Sequence, residues 1–188
     1  MTRIALFLCL LTLFTFSYVL TDDSSPTALE AIESMREEIG TVFHEASTDK
    51  GTLFFLVRED SQMIDAEFAK KTILGWKWGN GGSHTIPAVS EVPLPDSAFS
   101  TQYIANGKEN PFDSPFPMLF GVILDPEVDS LMVVSEKTGK ALQAEIIDNE
   151  LFPFRLWYAQ LPVKQGEMFS ITAFGKDGET VVSEKQIS

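Results

Sequence analysis

The sequence predicts a mainly β domain with one N-terminal helix (an α+β chain), antiparallel sheets and a sandwich-like C-terminal part. Three observations carry this expectation. Apolar residues alternate with polar ones over much of the chain after residue 41, as in Ile64, Ala66 and Phe68 against Asp65 and Glu67. Short apolar runs with turn residues between them fill residues 118–188, the pattern of a small antiparallel sandwich. Helical spacing is confined to one stretch, where Leu29, Ile32, Met35 or Arg36, and Ile39 recur on one face.

The chain begins with a segment of a different kind. Ile4 to Leu20 is apolar except for Thr12, Thr15, Ser17 and Tyr18, with Arg3 before it and Asp22-Asp23 after it. A cationic start, an apolar run and an acidic exit form a targeting segment that places the remainder on the outer side of a membrane. Two readings of residues 1–21 stand side by side. One is a retained anchor, since 17 residues of helix reach about 26 Å. The other is a cleaved signal peptide with Thr15-Phe16-Ser17 as its small-x-small site. The only cysteine, Cys9, lies inside this run, so the exported part has no disulfide, no thiol nucleophile and no thiolate zinc site.

Residues 22–188 read as one extracytoplasmic β-rich domain. Ser25-Pro26 supplies an N-cap and a first-turn proline for a helix over 26–39, ended by Gly40. That length leaves Glu37 and Glu38 at the unfavourable end of the helix dipole. A β-meander over 41–84 follows. It has strands at Val42–Glu45, Leu53–Arg58 and Met63–Phe68, and the second is apolar on both faces and therefore central. Residues 85–117 hold six of the ten prolines and read as a long irregular connection. The sandwich-like part over 118–188 has strands at Met118–Leu124, Ser130–Ser135, Ala141–Ile147, Phe154–Gln160, Met168–Phe174 and Thr180–Ser183. Asp177-Gly178 is its strongest hairpin signal.

Charge narrows the partners. Outside residues 1–21 the chain has 13 basic and 27 acidic residues, a net of −14, which repels phosphate backbones and excludes a nucleic-acid partner. It also disfavours broad adhesion to anionic surfaces. No catalytic motif is present and no cofactor or metal site is expected. His44 precedes Glu45 but lacks a second histidine at metal-binding spacing and reads as a strand residue. Gly79-Asn80-Gly81-Gly82-Ser83-His84 falls short of a dinucleotide loop, with His84 where a glycine is needed. It falls short of a nucleophile elbow too, because of Thr85. A flexible glycine turn is the plainer reading. Asp148-Asn149-Glu150 reads as a solvated turn, and Arg155, inside an apolar strand, calls for a partner, an internal carboxylate first and a bound anion as the alternative.

The candidate ligand-binding residues are Trp76, Trp78 and His84. The two tryptophans share a face of an extended strand, and with the glycines and His84 they could form a stacking platform on a Trp76–His84 hairpin. Closure of a core is the alternative use of such a pair.

Phe43-His44 through Phe55 and Phe68-Ala69-Lys70-Lys71-Thr72-Ile73-Leu74-Gly75-Trp76-Lys77-Trp78 go together with Phe120-Gly121-Val122-Ile123 and Ala173-Phe174-Gly175-Lys176-Asp177-Gly178. In these stretches the chain resembles small exported proteins of spore-forming Gram-positive bacteria. The resemblance implies a location and a host type and brings no activity with it. The leading expectation is therefore a non-enzymatic binding or interaction module, with an unknown ligand or protein partner at the outer membrane face. Residues 4–20 join it to the membrane if they are not cleaved. A cell-wall-directed hydrolase and a partner or regulatory subunit of a membrane protein are the alternatives.

Overall fold

A computed structural model describes residues 22–58, 62–87, 98–106 and 114–187. The apolar segment 4–20, and with it the choice between anchor and signal peptide, lies outside the described residues. So do parts of the proline-rich stretch.

Among the described residues the chain forms one short helix, α1 (Ala28–Glu33), and twelve strands. These are β1 (Thr41–Ser47), β2 (Gly51–Arg58), β3 (Met63–Lys71), β4 (Trp76–Thr85), β5 (Gln102–Ile104), β6 (Met118–Ile123), β7 (Ser130–Ser135), β8 (Ala141–Gln143), β9 (Glu145–Ile147), β10 (Arg155–Gln160), β11 (Met168–Phe174) and β12 (Thr180–Ile187). They make three antiparallel sheets with orders β1-β2-β3-β4, β5-β6-β10-β9 and β12-β11-β7-β8. The fold is mainly β with its helix at the N-terminal end, as the sequence predicts.

Burial shows how the layers stack. Leu53, Phe55, Ile64, Ala66 and Phe68 of the first sheet share a core with Met118, Phe120, Val122, Leu156 and Tyr158 of the second. The other face of the second sheet, with Leu119, Ile123, Trp157 and Ala159, packs on Leu131, Val133, Phe169 and Ile171 of the third. The second sheet is thus the middle layer, which is why β6 is buried at all six positions. The remaining face of the first sheet receives α1, whose Ala28, Ala31 and Ile32 pack on Phe54, Leu56 and Ala69. β2 is consequently covered on both sides, in line with its unbroken apolar run.

The three largest departures from expectation are each set by a partner distant in sequence. The helix is six residues long rather than spanning 26–39. Ser25 is engaged in a backbone bridge with Trp76, donating and accepting at 2.8 Å, so Thr27 caps α1 instead, in a capping box with Glu30. The helix stops at Ser34, which leaves Glu37 and Glu38 outside it and removes the conflict with the dipole. Ala141–Ile147 is two strands, β8 in the third sheet and β9 in the second. Ala144 sits buried at the crossing and donates its N–H to the Leu131 carbonyl at 2.9 Å. The 85–117 stretch is not wholly irregular. Phe99 bridges Ile123, and β5 pairs with β6. Gly121 admits that pairing, because a Cβ there would lie 1.9 Å from the Ser100 carbonyl oxygen, which also accepts the Trp157 indole N–H at 2.9 Å. The Asp177-Gly178 turn joins β11 to β12, with Gly178 at φ +81°.

Candidate interaction edge on strand β4

Among the described residues β4 is the edge strand of the first sheet and pairs with β3 along its length. Trp76 opposes Lys71, Lys77 opposes Lys70 and Trp78 opposes Ala69. The register then slips by one, so that Asn80 opposes Phe68, and Gly79 is the additional residue of a bulge. In an unbroken strand Trp78 and His84 would share a face. The bulge reverses the alternation. Trp76 and Trp78 face outward, beside α1, whereas His84 faces inward with Ile64, toward the second sheet. The expected platform of Trp76, Trp78 and His84 is therefore divided between two faces of one strand: the tryptophans share one and His84 lies on the other. The segment is also a single strand rather than a hairpin or a flexible turn.

The glycines have packing reasons. A Cβ on Gly81 would lie 2.0 Å from Glu67 Oε2, and one on Gly82 would press on the Ile104 side chain at 3.0 Å. The absent side chains make room for neighbours crossing the strand.

Glu67, on β3, organises the outer face. It is 1% exposed. It accepts the Trp78 indole N–H at 2.6 Å and an Arg36 N–H at 2.5 Å, and the Arg36 guanidinium also lies 5.7 Å from the centre of the Trp78 ring. Burial raises the Glu67 pKa above the ordinary glutamate value, outweighing the opposite pull of Trp78 and Arg36. Next along β3, the buried Asp65 takes two bonds from Arg58, at 2.7 and 3.0 Å. Each buried carboxylate on this face thus has a guanidinium partner, as burial of charge requires.

The near end of β4 combines lysines, the carboxylates of Asp22 and Asp23, and an apolar tip. Lys71 Nζ sits 5.7 Å from the centre of the Trp76 ring. Lys77 is bonded to Asp23 at 2.5 Å and lies 3.2 Å from Asp22, two of the first residues after the apolar segment. The β3–β4 turn is closed by Thr72, whose N–H and hydroxyl both donate to the Gly75 carbonyl, at 2.7 and 3.0 Å. Its tip is Ile73, wholly exposed, and Leu74, also exposed.

The groups that could do acid–base chemistry are dispersed. His84 lies edge-on to Phe120, 6.2 Å between ring centres, and burial lowers its pKa against the opposing effect of a hydrogen bond it donates to Gln102. Its Nε2 is buried without a hydrogen-bond partner among the described residues. His44 is on β1, the opposite edge of the same sheet, about 14 Å away at ~4.8 Å per strand. Its ring lies 6.4 Å from that of Tyr158, whose hydroxyl donates to Glu145 Oε2 at 2.5 Å; burial, and then that carboxylate, push the Tyr158 pKa up. Arg155 donates to the Asp125 carbonyl at 2.9 Å rather than to the expected carboxylate, in a cleft of about 340 Å³. Among the described residues no three His, Cys, Asp or Glu side chains converge as metal ligands, and no helix is long and apolar enough to cross a membrane.

Glu67, Arg36 and Lys71 were not singled out from the sequence. Alternation places Glu67 on a polar face, but only the layer beyond that face turns it into a buried hub. No family model, curated protein or solved structure matches the chain.

Proposed function

We propose that the protein is an extracytoplasmic, non-enzymatic interaction module whose contact surface is the outer edge of β4 around Trp76 and Trp78. One observation carries this reading. Two half-buried tryptophans on an edge strand are held in fixed positions, Trp78 by Glu67 and Arg36, and Trp76 by Lys71 and the Ser25 bridge. Aromatic side chains ordered before binding lose little freedom on contact, which is what an interaction surface needs. The hydrolase alternative requires a histidine beside a nucleophile and an acid in one cleft. His44 and His84 stand on opposite edges of the sheet, so nothing in the geometry favours it. A partner subunit of a membrane protein is the second reading. It is supported by the bonding of Asp22 and Asp23, next to the apolar segment, to Lys77 on this same edge. The resemblance to exported proteins of Gram-positive spore formers fits either.

The test is a thermal-shift screen of the protein against muropeptides, glycans and short peptides. A ligand at a hundred times its dissociation constant adds about 2.7 kcal/mol, several degrees for a chain of this size. The reading predicts a shift that Trp76→Ala abolishes. A shift that survives Trp76→Ala places the contact elsewhere and refutes it.

A further inference from the structure

We infer that the β3–β4 turn, with Ile73 and Leu74 at its tip and Lys70, Lys71 and Lys77 behind it, dips into the surface of an anionic lipid bilayer. The inference rests on the reading of the β4 edge as the contact surface and names what its near end touches.

Four observations converge. Ile73 is fully exposed and Leu74 is exposed beside it, two large apolar side chains at a hairpin tip where polar turn residues are usual. The turn that presents them is well formed. Thr72 closes it through two bonds to Gly75, and Gly75 is pinned beneath the Ser25 carbonyl, which a Cβ at that position would approach to 2.6 Å. In a chain of net charge −13, residues 68–90 contain three lysines and no carboxylate, and all three lysines fall within 70–77. Lys77 is paired with Asp22 and Asp23, and Lys71 stands exposed beside the tip, where it can meet an anionic headgroup. Trp76 opens β4 directly behind that turn, opposite Lys71, the place expected of an interfacial tryptophan. Its ring is half-buried, with Lys71 above it.

The chain outside the described residues supplies the fourth observation. Asp22 and Asp23, bonded to Lys77, stand directly after 17 residues of apolar sequence at positions 4–20. A membrane that takes up that segment lies within a few residues of β4. The exposed tip, the lysines and the exit of the apolar segment therefore share one end of the first sheet. The Asp177-Gly178 hairpin on the third sheet has no comparable apolar tip.

The experiment reconstitutes the full chain in vesicles of phosphatidylcholine and phosphatidylglycerol whose acyl chains are brominated at a shallow position, and follows quenching of tryptophan emission. The expected result is quenching that disappears in Trp76→Phe. It should also fall at least about tenfold in the double variant Ile73→Asn/Leu74→Asn, from the transfer of the two side chains alone. The double variant should unfold at the wild-type temperature. Ile73→Ser, at a wholly exposed position, gives an intermediate loss and answers the question if the double variant does not fold. Quenching unchanged in the tip variants overturns the proposal. Absence of quenching in the wild-type chain, with the protein bound to the vesicles, also overturns it. In that case a thermal shift abolished by Trp76→Ala would leave the wider reading of the β4 edge standing.

Discussion

Gly81→Ala probes the assembly of the β4 edge at one atom. The new Cβ would stand 2.0 Å from Glu67 Oε2 and 2.4 Å from its carboxyl carbon. The carboxylate must therefore move by about an ångström or more to restore ordinary contact. It is 1% exposed and bonded to Trp78 at 2.6 Å and to Arg36 at 2.5 Å, so any such move breaks at least the indole bond. A hydrogen bond to a charged group is worth about 1.5–3 kcal/mol, and a buried carboxylate left short of a donor adds to that loss. Gly→Ala in compatible backbone recovers about 0.4–1 kcal/mol through the unfolded chain. The expected net loss is about 2–4 kcal/mol, a fall of roughly 5–15 °C in Tm for a chain of this size. In a Glu67→Ala background the obstruction is gone, and Gly81→Ala should then be neutral or stabilising by up to about 1 kcal/mol. The double-mutant cycle, measured by urea unfolding, should give a coupling of about 2 kcal/mol or more. Additivity within about 0.5 kcal/mol would show that Glu67 does not occupy the space over Gly81, and the account of the edge would fail.

The remaining predictions concern titration and packing. Burial holds the Glu67 pKa above its ordinary value of 4.5, so the folded chain binds that proton more readily than the unfolded chain. Wild-type stability relative to Glu67→Gln should rise as pH falls from neutral through the folded pKa and level off below about 4.5; a flat difference would contradict the raised pKa. His84 works in the opposite sense. Burial sets its folded pKa below 6.5, so its share of stability is complete above 6.5 and is lost as pH falls through the folded value. His84→Leu should therefore flatten the unfolding profile in that window, and an unchanged slope there would refute the placement of His84 on the inner face. Gly121→Ala would put a Cβ 1.9 Å from a backbone oxygen, where no flexible side chain can yield. It should cost about 3 kcal/mol in urea unfolding and alter Trp157 emission, since Trp157 bonds to the same oxygen. A variant within about 0.5 kcal/mol of wild type would contradict the close crossing at Ser100.

The strands were legible where one face meets a core and the other meets water. β11 shows this, with Phe169, Ile171 and Ala173 buried and Ser170 and Thr172 more exposed. The Asp177-Gly178 turn was legible because its backbone demands a residue tolerant of positive φ. Positions governed by distant partners were not. Nothing local reveals that Ser25 pairs with Trp76 and leaves the capping role to Thr27. Nor does it reveal that Ala144 moves the chain from the third sheet to the second. The candidate site was half legible. Trp76 and Trp78 do share a face, but counting by twos from Trp78 to His84 fails at Gly79, where one bulge residue turns the strand over. The glycine cluster reads as a turn for a related reason. Glycine in sequence is the same whether it bends the backbone or vacates space, and only Glu67 and Ile104 across the strand show that Gly81 and Gly82 do the latter.

The most direct test of the β4 edge as the contact surface is amine footprinting of the lysines in the chain's own cellular setting, compared with the isolated protein. With the β4 edge as the contact surface, Lys70 and Lys71 lose reactivity in place while Lys176, on the β11–β12 turn, reacts equally in both. Equal labelling of Lys70 and Lys71 in the two settings, or protection centred on Lys176, would contradict it.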